Sequence, residues 1–352
     1  MLRPGVVVVH SRAYAMHRVN NPRNPWHQYA VAYDDVLPPP ASLELFEERA
    51  KSIVTANDSP DVPFGYSINP YRGCTHGCAY CYARRSHQYL DLGAGSDFER
   101  KIIVKINAPS LLARTFAKPS WAGDVLVFSG NTDCYQGIEG HYGLTRECLT
   151  LCLTHRNPVV IITKSSLVER DLDLLAALAR VAYVRVYVSL AFDSDQDARA
   201  LEPWAPSPTR RIQTIARLAE RKIPVGVAAA PMIPGLNDAQ ILKVLARAHE
   251  AGATRAFTTL LRMTQEVREV FDERLLRELP LRAQRVQNGL VELRKSRTSA
   301  HTFGERMTGE GPRWDAFAQL FRLTCDRLGL NEGEDEPRAK TFVRVPEQGT
   351  LF

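Results

Sequence analysis

Six short apolar runs punctuate the middle of the chain, and they limit its fold more than any other feature. They are KIIVKI (101–106), DVLVFS (124–129), PVVIIT (158–163), YVRVYVSL (183–190), IPVGVAA (223–229) and RAFTTLL (255–261). Runs this continuous fit strands covered on both faces, as in a parallel sheet. Helical patterns fill the gaps. In 167–180, Val168, Leu172 and Leu175 fall at i, i+4 and i+7. In 207–221, Ser207 is the expected N-cap, Pro208 takes the first helical position, and Ile212, Ile215 and Ala219 form the inward stripe. In 239–251, Asp238 is the expected cap, Ile241, Leu245 and Ala248 face inward, and Gly252 ends the helix. Alternating strand and helix predicts an α/β architecture, most simply an open or closed parallel barrel of about five or six βα units across 66–262.

The flanks differ in texture. Residues 1–65, with DDVLPPPAS and NDSPDVPF, read as an irregular N-terminal arm holding one short helix over about Leu43–Val54. Residues 263–330 read as a helical C-terminal extension, from VREVFDERLLREL through RWDAFAQLFRLTCDRLG. Residues 331–352, with NEGEDEPRAK, read as a mobile charged tail. A chain of 352 residues buries enough surface to fold without disulfides. Its 45% hydrophobic and 24% charged residues exclude a wholly disordered, collagenous or coiled-coil protein. The net charge of +6 is compatible with an anionic partner. No apolar run approaches the ~18 residues of a membrane span. The opening MLRPGVVVVHSRAYAMHRVN lacks the apolar centre of a secretory signal. A cytoplasmic location without membrane contact is therefore expected.

The seven cysteines are Cys74, Cys78, Cys81, Cys134, Cys148, Cys152 and Cys325. An odd number in a long chain argues against a disulfide framework. Three of them fall in NPYRGCTHGCAYCYAR as C-x-x-x-C-x-x-C. Gly73 and Gly77 permit tight turns, so these three thiolates can converge. Three thiolates from one loop suit an iron–sulfur cluster with one iron left open to a small chelating molecule. Three other readings stay open. Zinc would use these cysteines with His76 or a distant residue, although no second C-x-x-C knuckle exists. A plain electron carrier would need a fourth cysteine that does not stand out, and three packed thiols need nothing. Cys148 and Cys152, at i and i+4, and Cys325 read as small core residues. His141 and His249 read as surface or packed side chains.

With Tyr80 just before the last cysteine, the motif resembles the signature of the radical S-adenosylmethionine (SAM) superfamily. NPYRGCTHGCAYCYARRSH, SGNTDCYQGIE, TKSSLVERDLDLL, LEPWAPSPTRRI and APMIPGLND together resemble the branch similar to spore photoproduct lyase, whose members often carry the label "DNA repair photolyase". The resemblance runs from about Asp58 to Leu330. It implies an α/β fold: a partial (β/α)6 TIM-like barrel at 66–262, with the irregular N-terminal arm and the helical C-terminal region attached. It implies a [4Fe–4S] cluster on Cys74, Cys78 and Cys81, with SAM on the open iron. It also implies a lyase- or oxidoreductase-like enzyme in which reductive cleavage of SAM gives methionine and a 5′-deoxyadenosyl radical that takes hydrogen from the substrate. A reductant such as flavodoxin or ferredoxin would supply the electron.

A barrel carries its site at the C-terminal ends of its strands. After 124–128 come Ser129, Gly130, Asn131, Thr132 and Asp133. The resemblance puts the SAM amino group here, with Asn131 or Asp133 as acceptor; the plainer reading is an Asx-capped turn. Ser189 is either a ribose contact or an interior hydroxyl, with Asp193 beyond it. The loop Ala230–Gly235 is either an adenine cradle, with Gly235 allowing close approach, or a simple connection. Tyr80 is expected to pack on adenine. Lys164, Arg210 and Arg211 are candidates for the SAM carboxylate or a substrate phosphate, or are solvated. Cys134 is a candidate hydrogen donor to a product radical, as in spore photoproduct lyase, or a packed thiol.

The photolyase-like label also points to damaged or modified nucleic acid. Arg84, Arg85 and His87, and the looser group Arg294, Lys295, Arg297, His301 and Arg306, are the basic stretches on offer. Such runs are also ordinary solvated faces. Gln348, Leu351 and Phe352 resemble the Q-x-x-L-F tails that bind the replicative sliding clamp, although Gly349 stands where leucine is usual. A reading from another class is a non-catalytic nucleic-acid or sliding-clamp-binding module in which a metal only holds the loop. Iron content and SAM cleavage separate the two.

Overall fold

The computed structural model describes residues 16–19 (backbone only), 43–62, 64–294, 306–333 and 340–345. Among them, eleven strands follow the chain: β1 (Met16–Val19), β2 (Glu44–Glu48), β3 (Val54–Ala56), β4 (Tyr66–Ile68), β5 (Tyr71–Arg72), β6 (Lys101–Lys105), β7 (Leu126–Phe128), β8 (Val159–Thr163), β9 (Val184–Ser189), β10 (Val225–Ala228) and β11 (Arg255–Phe257). They form two sheets, β1-β2-β6-β5 and β11-β10-β9-β8-β7-β4-β3. In the larger sheet, β4, β7, β8, β9, β10 and β11 are parallel, and β3 lies antiparallel along β4. No pairing among the described residues joins β11 back to β3 or β4, so the sheet is a partial barrel. The apolar runs are buried throughout β7 and β10, as strands covered on both faces should be.

Six parallel strands agree with the sequence expectation, but one of them is a different segment. The run at 101–106 is β6 of the small sheet, parallel to β2 and antiparallel to β5. The first barrel strand is instead the short Tyr66–Ile68. Ile102, Ile103 and Val104 are wholly buried, so the run is apolar for the expected reason. Burial marks a strand without saying which sheet it joins.

The N-terminal arm needs a second correction. The expected helix over Leu43–Val54 is absent, and β2 and the start of β3 stand there. Leu45 and Phe46 pair with Ile102 and Ile103 and are both buried, on opposite faces of β2. Cross-strand burial overrides the helix preference of the glutamates around them. Residues 44–56 thus contribute to both sheets.

The helices follow expectation more closely. Ser207 accepts a hydrogen bond from the Arg210 amide and Pro208 opens the helix Pro208–Glu220. The stretch 167–180 is a 3-10 turn, Ser166–Asp171, followed by the helix Leu172–Ala179. Asp238 does not cap the helix Ile241–Glu250; its carboxylate receives the amides of Gly235 and Ala239. Among the described residues, the C-terminal region holds three helices, Gln265–Glu278, Pro280–Leu293 and Pro312–Leu328. Cys148, Cys152 and Cys325 are buried in the main core, as read from the sequence.

Two devices finish the barrel. The Asn331 side chain exchanges hydrogen bonds with the Ala256 amide (2.8 Å) and carbonyl (2.9 Å), occupying the outer edge of β11 as a further strand would. Beyond it, Thr341–Val345 is docked and not a free tail. Val343 donates its amide to the His155 carbonyl, Phe342 stacks on His155 and meets Phe116 edge-on, and Arg344 reaches the carbonyls of Phe116, Lys118 and Trp121. These partners precede β7 and β8, so this strap lies across the N-terminal end of the barrel.

Candidate metal and cofactor site

The cysteine loop leaves the C-terminal end of β4 and crosses the mouth of the barrel. Cys74 and Cys78 are buried, Cys81 is half-buried, and all three are free thiols. Gly73 (φ +79°) and Gly77 (φ +63°) hold left-handed conformations. A Cβ at Gly73 would lie 2.8–2.9 Å from Ile102, His87 and the Phe98 carbonyl, and one at Gly77 would lie 2.9 Å from Trp204. Glycine is required at both on two counts, which supports the turn chemistry read from the sequence.

The protein itself fixes the loop. Arg84 is wholly buried and donates to the carbonyls of Cys78 (3.0 Å), Gly77 (3.2 Å), Ala94 (3.0 Å) and Gly95 (3.0 Å), and pairs with Glu99 at 2.5 Å. Gln136 donates to the Gly73 carbonyl at 2.8 Å and accepts the Thr75 amide at 3.0 Å. The Ala79 amide reaches the Leu201 carbonyl at 2.8 Å. Tyr80 donates its hydroxyl to Glu202, which is paired with Arg211, which in turn donates to the Ser189 carbonyl at 3.0 Å. These ties fix the backbone of the loop.

Among the described residues, no group of three or more His, Cys, Asp or Glu side chains forms a site for a single metal ion. His76, the candidate zinc ligand, instead turns Nδ1 toward Asp133 at 3.4 Å. A four-iron cluster takes one thiolate per iron, so its cysteines need not converge on one point. Three cysteines from one loop fit that cluster. Burial pushes the Cys78 thiol up to about 12 and the Cys74 thiol well above its usual range. Such thiols lose their protons to a metal and not to water. Lys164 works the other way on Cys78, and its Nζ stands 5.6 Å from the centre of the Tyr80 ring.

The other expected positions divide. Gly130 packs against Ser67, and its carbonyl accepts the Tyr82 hydroxyl at 2.7 Å. The Asn131 amide is held by Asn69 Oδ1 at 2.8 Å. The Asp133 carboxylate receives the Tyr135 amide, the Thr163 hydroxyl and the Lys164 amide, so it ties the loop after β7 to the end of β8. Ser189 ends β9, and among the described residues its hydroxyl has no hydrogen-bond partner. Gly235 (φ +79°) does permit a close approach, but the group its Cβ would meet is Arg285 of the helix Pro280–Leu293. Arg210 pairs with Glu169 and Arg211 with Glu202, so both charges are already answered.

Cys134 has no exposed surface and packs in the main core. Burial and the neighbouring Asp133 hold its thiol neutral. Cys134 is thus a packed thiol that keeps the S–H a hydrogen donor needs. In the basic run after the loop, Arg84 and His87 are buried and only Arg85 is exposed. Lys295, Arg297 and His301, and the clamp-like Gln348, Leu351 and Phe352, lie outside the described residues.

Sequence reasoning did not single out the structural roles of Arg84, Gln136, Glu139 and Glu202. Glu139 is buried and pairs with Arg170 while accepting from Tyr71 and the Thr145 amide. All but Glu202 sit in strings flanking the cysteines or β7, and Glu202 opens the stretch before Ser207. A polar residue inside a tight loop is a signal for such ties, but the partner of each is remote in sequence.

Comparison with known proteins places these features. The family model for the radical SAM superfamily matches residues 68–248. An uncharacterized protein of Mycobacterium tuberculosis (strain ATCC 25618 / H37Rv) is 36% identical over 198 residues, 55% of this chain and 58% of that protein. The match thus spans little more than half the length of that relative. An uncharacterized protein of Methanocaldococcus jannaschii is 28% identical over 218 residues, 62% of this chain and 76% of that protein. Among solved structures, spore photoproduct lyase complexed with dinucleoside spore photoproduct superposes with a TM-score of 0.58 at 15% identity, covering 81% of this chain and 80% of that one. That likeness is one of fold. No helix among the described residues is long and apolar enough to cross a membrane.

Proposed function

The chain belongs to the radical SAM superfamily, whose cofactors are a [4Fe–4S] cluster and SAM, and we propose that it is a radical SAM enzyme acting on damaged or modified nucleic acid. The observation that carries the reading is the loop of three free cysteines, held in place by Arg84 and Gln136 at the C-terminal mouth of six parallel strands. The nucleic-acid substrate is supported by the branch-like strings of the sequence and by the fold shared with a lyase seen bound to a dinucleoside photoproduct.

When bound, the cluster and SAM supply the one-electron cleavage that yields methionine and a 5′-deoxyadenosyl radical. The chain's own residues hold and shield. Cys74, Cys78 and Cys81 would hold the cluster and leave one iron to SAM. Tyr80, steadied by Glu202, would present its ring to the adenine side. The Gly130–Asn131 turn would meet the SAM amino group, while Asp133 keeps that turn against β8. The Ser189 hydroxyl, without a partner among the described residues, would take the ribose. Gly235 would act through the packing of its loop on the helix Pro280–Leu293. The C-terminal helices cover the second half of the cysteine loop, where Val267, Phe271 and Val286 share an apolar cluster with Cys78 and Tyr80. That cover would exclude water from the radical. A flavodoxin- or ferredoxin-like reductant would supply the electron.

The test is air-free reconstitution with iron and sulfide, followed by dithionite and SAM. Release of 5′-deoxyadenosine is the expected result, with transfer of deuterium from a labelled lesion-bearing oligonucleotide. Cys78→Ala should lose cluster absorbance and SAM cleavage together while the far-ultraviolet circular dichroism is unchanged. A colourless protein that retains only zinc would reject the reading.

A further inference from the structure

We infer that Arg262 is a phosphate-contact residue at the rim of the barrel mouth, with Arg85 beside it, for the strand on which the enzyme acts. The inference rests on the nucleic-acid reading above and adds to it the residues that would meet the backbone. Arg262 follows β11 by five residues, just past the point where Leu260 bridges to Met232 and the Leu261 amide reaches the Met232 carbonyl at 2.9 Å. It therefore lies on the same rim as the cysteine loop.

Its surroundings leave its charge unanswered. Arg262 is half-buried, and among the described residues it makes no hydrogen bond or ion pair. Its Nε is buried without an acceptor. The charged groups facing it are the guanidiniums of Arg306, Arg85 and Arg294 and the carboxylate of Asp61, with the Tyr82 hydroxyl alongside. Asp61 is already paired with Arg306. Buried polar groups in folded proteins find partners, and a partly desolvated cation crowded by like charge calls for an anion from outside.

The neighbouring surface indicates which anion. Arg85 is exposed and also makes no hydrogen bond or ion pair among the described residues, with Glu266 its electrostatic neighbour. It stands on the short helix Tyr82–Leu90, between Tyr82 at 52% and Tyr89 at 71% exposure. Cations interleaved with open aromatic faces suit a strand whose phosphates meet the arginines and whose bases can stack. A lone carboxylate, such as that of SAM, would need only one of these features.

The experiment uses the reconstituted enzyme and a fluorescein-labelled single-stranded thymidine oligonucleotide, with anisotropy titrations between about 50 and about 200 mM salt. Arg262→Gln is expected to weaken binding several-fold and to lower the slope of log affinity against log salt by roughly 0.7, the contribution of one phosphate contact on a single strand. Arg85→Gln should do the same. Arg262→Lys keeps the charge, so it should keep the slope while losing affinity. Arg322→Gln, an exposed position on the helix Pro312–Leu328, should change neither. SAM affinity, measured by equilibrium dialysis, should be unaltered in every variant. Unchanged slope and affinity in Arg262→Gln, beside a wild type that binds, overturns the inference and spares the nucleic-acid reading. Lost SAM affinity with intact oligonucleotide binding assigns Arg262 to the cofactor and also overturns it. A wild type that does not bind the oligonucleotide rejects both.

Discussion

Arg84 shows how much of the site depends on a residue that touches no ligand. Its guanidinium serves four carbonyls and one carboxylate from a fully buried position. Arg84→Met would strand Glu99 and two carbonyls of the cysteine loop. Breaking a buried pair of this kind costs about 3 kcal/mol. Urea unfolding should register that loss, and the iron bound per chain should fall with it. Lys105 offers a second expectation. Burial pulls its ammonium down from the usual 10.5 to about 8, with Arg72 adding to the effect and Glu48 opposing it. The unfolded chain still binds this proton between about pH 8 and about pH 10.5, and the folded chain does not. This group therefore makes stability rise with pH across that window. Comparing Lys105→Gln with the wild type by denaturant unfolding at several pH values should show the rise removed.

At the level of elements, the turns were more legible than the sheets. Gly73 and Gly77 could be read as obligatory because a left-handed residue inside a tight cysteine loop leaves few alternatives. Gly77→Ala combines a positive φ with a contact against Trp204. It should cost about 2 kcal/mol or more and reduce cluster content, which iron analysis and thermal melting would show. Ser207 and Pro208 likewise announced their helix, because a cap is a local event. The strand at 101–106 and the segment Leu43–Val54 did not announce their sheets. An apolar run records that it is buried, whereas β6 and β2 owe their pairing to each other across more than fifty residues. Asp238 was misplaced for a related reason: its carboxylate met the nearer amides of Gly235 and Ala239 first.

Across the whole molecule, chemistry and stability sit at opposite ends of the barrel. The cysteine loop, the Gly130–Asn131 turn and Arg262 share the C-terminal mouth. The strap Thr341–Val345 closes the other end, with Phe342 against Phe116 and His155. Phe342→Ala should lower stability by about 2 kcal/mol, a shift of several degrees in melting temperature. SAM cleavage at room temperature should be unaffected, because the strap meets no part of the mouth. A loss of cleavage without a loss of stability would contradict that separation.

The order of residues alone determined the α/β class, five of the six parallel strands, the cysteine triad and its glycines, because periodicity, turn chemistry and ligand spacing act over a few neighbours. Only the tertiary structure decided that Tyr66–Ile68 and not the 101–106 run begins the barrel, that Cys134 belongs to the core, and that Arg84 supports the loop while Arg262 stands unpaired among the described residues. Those outcomes depend on which distant side chains arrive to bury, pair or leave a group, and proximity in space is not written in proximity along the chain.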